Sequence, residues 1–149
     1  MVKNKRPVVS VEPTPKKQIP TKPGFDENPH KLRPAWRVSA MEMRDPYGWH
    51  HLDGIMIHYI RDKIRGFEAL TWNEILVRDR DRNHRVETWK LCKDARDRLA
   101  ELKLEDVEEL VSLRLSGTER IWGVLEHNIL SILWWDPFHD VCPSLKKHT

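Results

Sequence analysis

Seven consecutive residues, Ile129 to Trp135, carry no charge, and only Ser131 among them is polar. Such a run has to be screened from water, and its length is that of a strand rather than the roughly 20 residues of a membrane-crossing helix. It reads as a strand buried on both faces. Asp136-Pro137 ends it, and His127-Asn128 before it supplies a reversal after the segment Arg120 to Glu126. Further upstream, Val111, Leu113 and Leu115 alternate with Ser112 and Arg114, and Ser116-Gly117-Thr118-Glu119 is a turn. The C-terminal third is therefore predicted to be a three-stranded antiparallel meander.

A two-residue loop at His127-Asn128 fixes a register. It opposes Trp122 to Leu133, Val124 to Ser131 and Arg120 to Trp135, and directly opposed residues project to one side. Ile121, Gly123, Leu125, Leu130, Ile132 and Trp134 then form an apolar face that receives the helices. The opposite face is expected to be open, bearing Arg114, Arg120, Trp122 and Trp135. Cations interleaved with indoles suit phosphate contact and base stacking on single-stranded RNA.

Ahead of the meander, Leu52, Ile55, Met56, Tyr59, Ile60 and Ile64 recur at helical spacing behind Asp53 as cap, with Gly66 expected as a left-handed stop. Thr71-Trp72-Asn73-Glu74 has the capping-box pattern, with Leu70 and Ile75 as its staple, so a short helix is predicted from Trp72. Arg78 to Arg85 is wholly polar and reads as an exposed loop. Leu91, Ala95, Leu99 and Leu102 mark a third helix over about Thr88 to Leu102, and Cys92 reads as packed within it rather than as a nucleophile. Trp49, Trp72 and Trp89 stand near helix starts as core anchors. Ala35 to Met43 alternates loosely and reads as a first strand. The expected fold class is α+β, with helices on one face of a small antiparallel sheet.

Composition sets the domain boundary. The formal charge of +3 over 149 residues divides unevenly, because residues 1–33 hold eight basic and three acidic side chains, a net of +5, leaving −2 for the remainder. Seven of the ten prolines lie at or before Pro34, whereas the first of seven tryptophans is Trp36. Residues 1–33 thus read as a disordered, basic, Pro-rich tail and 34–149 as a single domain. The segment after Lys3, Lys5 and Arg6 has no apolar core of a secretory signal, and two cysteines in unlike contexts give no disulfide framework, so the chain reads as cytoplasmic with reduced thiols.

The order of strand, helices and three-stranded meander resembles the RelE/ParE superfamily of small bacterial toxins. The likeness runs from Leu99 to Trp135, and Leu115 to Arg120 fits that superfamily's Leu-x-Gly-x-x-Arg hairpin. The ending Trp134-Trp135-Asp136-Pro137-Phe138-His139-Asp140-Val141-Cys142-Pro143-Ser144 is similar to a group of small bacterial proteins of uncharacterised function. The RelE-like resemblance implies mRNA cleavage by attack of a ribose 2′-hydroxyl on its own phosphate, a cognate antitoxin, and RNA or the ribosome as partner; ParE-like members inhibit gyrase instead. Such cleavage needs cations, an acid and a base. The residues that answer to those roles are Arg114 and Arg120 as charge stabilisers and His139 or His148 as acid or base. Lys146 and Lys147, with Trp122 and Trp135, would hold the substrate. The chain departs from the family pattern in having no clear tyrosine in its last segment and a slightly acidic folded part. A noncatalytic protein- or nucleic-acid-binding domain is the alternative.

Other chemistries find no pattern. There is no Gly-rich phosphate loop and no Gly-x-Ser-x-Gly elbow. His50-His51, being adjacent, are expected to point apart, and His139-x-x-Cys142 is the one short His/Cys spacing. No metal site and no cofactor are expected.

Overall fold

The computed structural model describes residues 28–143. Its first helix, α1 (Gly54–Glu68), starts where the sequence says it should, since the Asp53 carboxylate accepts from the Met56 amide at 2.9 Å. It does not stop at Gly66. Phe67 packs against the core on this side of the sheet, and the helix runs on to an Ala69 cap in right-handed conformation. The capping box at Thr71 closes in both directions: Glu74 Oε1 accepts from the Thr71 amide at 2.9 Å and Thr71 Oγ1 from the Glu74 amide at 3.2 Å. It opens a short helix at Trp72 that continues as a π-helical turn, Glu74–Arg78. The second regular helix, α2 (Lys93–Glu101), is shorter than its pattern suggested. Thr88–Lys90 is a separate 3₁₀ turn, Cys92 caps α2 through its sulfur instead of lying inside it, and Trp89 is 70% exposed rather than a core anchor.

Strands β1 (Ala35–Arg37), β2 (His84–Glu87), β3 (Glu109–Arg114), β4 (Arg120–Glu126) and β5 (Ile129–Asp136) form one mixed sheet in the order β1-β5-β4-β3-β2. β1 runs parallel to β5, and all other pairings are antiparallel. The α+β class stands, as does the meander β3-β4-β5. Strand β2 was not expected; it emerges from the end of the polar stretch, where Val86 packs inward and Asn83 is buried. The Asn83 side chain satisfies two backbone groups, donating to the Ile75 carbonyl at 3.2 Å and accepting from the Arg114 amide at 3.0 Å. A polar residue in such a place costs little because its hydrogen bonds are made.

Helices cover both faces of the sheet instead of one. Ile60 of α1 joins Val111, Leu113, Ile121, Leu130, Ile132 and Trp135 on the first face. Ala95 and Leu99 of α2 join Leu110, Trp122, Leu133 and Trp134 on the second. A β-bulge explains why the expected register fails halfway. Val124 faces Ser131 and Gly123 faces Ile132 as expected, but Trp122 then pairs with Trp134, Ile121 with Trp135 and Arg120 with Asp136. Leu133 is the extra residue, so the two neighbouring indoles exchange faces. Gly123 permits the bulge, since a Cβ there would sit 2.5 Å from the Ser131 carbonyl oxygen and 2.9 Å from Leu130 Cγ.

The second face also buries a charge. Glu42 is 6% exposed, and Arg98 of α2 forks onto its carboxylate, with Nε 2.9 Å from Oε1, while Trp134 Nε1 donates to the same oxygen at 2.8 Å. At the chain's entry, Asn28–Arg33 is tied to this domain rather than lying clear of it: the Leu32 carbonyl accepts from the Trp72 amide at 2.9 Å and the Arg33 carbonyl from Asn128 Nδ2 at 3.1 Å. The expectation for residues 1–27 lies outside the described residues. No helix among those described is long and apolar enough to cross a membrane.

Candidate functional site

Arg114 ends β3, Arg120 begins β4, and the two are paired in register on the second face of the sheet. Between them the tight turn needs a left-handed residue, which Gly117 supplies at φ 55°. Both guanidiniums bind its carbonyl oxygen, Arg114 Nε at 3.1 Å and Arg120 Nη1 at 2.7 Å. Neither forms an ion pair with a carboxylate among the described residues. Two like charges are thus held together at one corner of the sheet without a direct ion pair.

Asp136, at the end of β5, brings a third strand and the C-terminal turn to that corner. Its side chain is buried and accepts from Trp122 Nε1 at 3.0 Å, from the Asp140 amide at 2.8 Å and from the Val141 amide at 3.1 Å. Thr118 Oγ1 donates to the Pro137 carbonyl at 2.6 Å and joins this turn to the β3-β4 turn. Pinned at both ends, the turn holds His139 at φ 60°, a left-handed conformation that is uncommon outside glycine. Backbone outliers of this kind concentrate at functional sites.

Electrostatics tie the parts together. Burial, and then the charge of Arg120, push the His139 imidazole below its ordinary range; Asp136 opposes, and His84 and Arg114 add to the depression. His84, on β2 opposite Ser112, is depressed by burial and by Arg120 as well, against Asp81. Arg120 itself lies below the ordinary arginine value because it is partly buried and beside Arg114, with Asp136 again opposing. Both imidazole shifts favour the neutral ring beside the two guanidiniums.

Of the expected site residues, Arg114, Arg120 and His139 are brought together. Trp122 and Trp135 are not available for stacking: Trp122 is 1% exposed beneath α2 and the C-terminal turn, and the bulge turns Trp135 into the first-face core. The expected open aromatic face is absent because its indoles are core. Lys146, Lys147 and His148 lie outside the described residues. Sequence reasoning missed His84 and Asp136, the first inside a polar stretch with Val86 as its only apolar neighbour, the second read merely as a strand stop. Comparison with protein-family models, with curated proteins and with solved structures returned no match to this chain.

Proposed function

We propose that the chain is a RelE/ParE-like toxin module of the cytoplasm that binds an RNA phosphodiester at the corner formed by His84, Arg114, Arg120 and His139, and cleaves it. The observation that carries this reading is two guanidiniums held together on one carbonyl oxygen without an ion pair, beside two imidazoles whose surroundings favour the neutral form. A neutral imidazole can take the proton of a ribose 2′-hydroxyl as its oxygen attacks phosphorus. The bond to the 5′-oxygen then breaks, and the second imidazole, protonated, returns a proton to that leaving group. Arg114 and Arg120 stabilise the charge that builds on the phosphoryl oxygens between these events. The phosphodiester's own negative charge offsets the arginine field and lets the acid hold its proton. Products are a 2′,3′-cyclic phosphate and a 5′-hydroxyl. A cognate antitoxin is the partner this reading calls for.

Incubation of the purified chain with single-stranded RNA, followed by end-group analysis, tests the reading. Cyclic-phosphate ends are expected, with His139→Ala and Arg120→Ala each slowing cleavage about 10²- to 10⁴-fold. Salt-sensitive binding without cleavage would instead support a noncatalytic nucleic-acid-binding domain. Neither binding nor cleavage would overturn both readings.

A further inference from the structure

A second cluster of side chains stands apart from this corner, in the loop between β1 and α1. The residues are Asp45-Pro46-Tyr47-Gly48-Trp49-His50-His51, and alternate members are anchored on opposite sides of the sheet. Tyr47 is buried on the second face against Trp134, ring centres 5.1 Å apart, and its carbonyl accepts from the Trp135 amide at 2.9 Å. Trp49 is buried on the first face against Trp135 at 5.7 Å, and donates through its indole to the Leu133 carbonyl at 3.2 Å and through its amide to the Glu42 carbonyl at 2.8 Å. The loop is consequently a fixed platform, while Asp45, His50 and His51 are exposed on it.

Adjacent histidines point apart only in extended chain. Trp49–His51 is a 3₁₀ turn, in which successive side chains are about 120° apart, and the two imidazoles lean together with ring centres 3.8 Å apart. Gly48 sets the orientation of His50. Its missing side chain leaves room for the ring, since a Cβ there would meet His50 Nδ1 at 2.4 Å. That nitrogen faces the backbone, and Nε2 is turned to Asp45. Asp45 Oδ1 lies 3.5 Å from His50 Nε2 and 2.8 Å from His51 Nε2, and the three ligand atoms all fall within 4.8 Å of one another. Ligand atoms around a tetrahedral ion with bonds of about 2.0 Å are ~3.3 Å apart. Bringing all three onto one ion requires the imidazoles to move apart from their 3.8 Å ring separation and the Asp45–His51 hydrogen bond to open.

We propose that Asp45, His50 and His51 bind a divalent transition-metal ion. Two imidazoles with one carboxylate favour Zn²⁺, Ni²⁺ or Co²⁺ over the oxygen-seeking Mg²⁺ and Ca²⁺, and three protein ligands leave coordination positions open to water or an anion. The set is independent of the RNA reading: it shares none of its residues, and its test measures no cleavage.

The test uses the untagged full-length chain, freed of metal with a chelator and titrated with Zn²⁺ by calorimetry and with Co²⁺ by visible absorption. One ion per chain is expected, with a Co²⁺ spectrum of nitrogen and oxygen ligands. His50→Ala, His51→Ala and Asp45→Asn are each expected to weaken binding by at least the about 10- to 100-fold that loss of an outer-shell partner costs. Gly48→Ala, whose Cβ would meet the His50 ring and also the Arg44 carbonyl oxygen at 2.5 Å, should weaken it as well by shifting the loop, and His58→Ala on α1 should not. Circular dichroism of each variant separates lost ligation from lost folding. Absence of saturable binding, binding undiminished in the His50→Ala/His51→Ala double variant, or the intense charge-transfer bands of cysteine ligation would each overturn the proposal.

Discussion

The two faces of the sheet are built by different physics. On the α1 side, Val111, Leu113, Ile121, Leu130, Ile132 and Trp135 meet Ile60 and Trp49, and the side chains that β3, β4 and β5 contribute to this core are apolar. On the α2 side the core is interrupted by polar groups that are buried and paired: Glu42 with Arg98 and Trp134, and Asp136 with Trp122 and the C-terminal turn. The first face is held by area and shape, which tolerate small changes of volume. Directional bonds hold the second, and they also position the arginines and imidazoles at its edge. The proposed RNA site and the buried polar groups lie on the same side.

The sharpest way to break this contrast is Glu42→Ala. It leaves the Trp134 indole nitrogen without its partner and the Arg98 guanidinium, whose side chain is 11% exposed, with Glu101 alone of its two carboxylates. A loss of about 3–5 kcal/mol is expected in urea unfolding, against about 0.5–1.5 kcal/mol for shaving a methyl group from the apolar face with Ile121→Val. Comparable losses from the two substitutions would erase the distinction.

Gly123→Ala probes the bulge that assigns Trp134 and Trp135 to opposite faces. Its Cβ has no room against the Ser131 carbonyl, a backbone atom that cannot swing aside, so about 1–3 kcal/mol of destabilisation is expected. Near-ultraviolet circular dichroism should change too, since both indoles would be displaced.

Smaller still is the pH dependence that two imidazoles bring to the second face. His84 and His139 bind protons less readily folded than unfolded. Between their folded values and the ordinary histidine value of about 6.5, the unfolded chain therefore holds more protons, and stability falls as pH drops through that window. Melting temperature should decline on acidification from pH ~7 to ~5, and His84→Gln/His139→Gln should flatten the slope. An unaltered slope in that double variant would remove these imidazoles from the account.

The same contrast decides what could be read from sequence. First-face elements announce themselves locally: the spacing Met56, Tyr59, Ile60, Ile64 behind Asp53, and the box Thr71 to Glu74, each depend on residues within a few positions. The meander was legible for the same reason, since two short turns fix its pairings. Second-face features depend on partners far apart in the chain. Glu42 reaches Arg98, Asn83 reaches Arg114, and β2 exists only because β3 offers it an edge. Local pattern assigns Asn83 and the start of β2 to an exposed loop and Glu42 to a longer first strand, with no sign of their distant partners. The bulge is a compromise between Gly123 and the backbone of β5, and alternation counted from His127-Asn128 runs straight through it. Arg114, Arg120 and His139 were expected as site candidates from the hairpin and the segment after β5, and the fold places them together; His84 and Asp136 join them only through tertiary structure.

Burial, and then the charge of Arg120, hold the His139 imidazole below its ordinary range at the corner proposed to accept a phosphodiester. Nuclear magnetic resonance titration of His139 in the wild-type chain, in Arg120→Ala, and in the wild type saturated with a noncleavable 2′-deoxy dinucleotide phosphodiester tests this most directly. A value below the ordinary histidine range is predicted for the free protein, rising when the Arg120 charge is removed and rising again when the phosphodiester offsets the arginine field. An imidazole that titrates normally, or is indifferent to both changes, would contradict it.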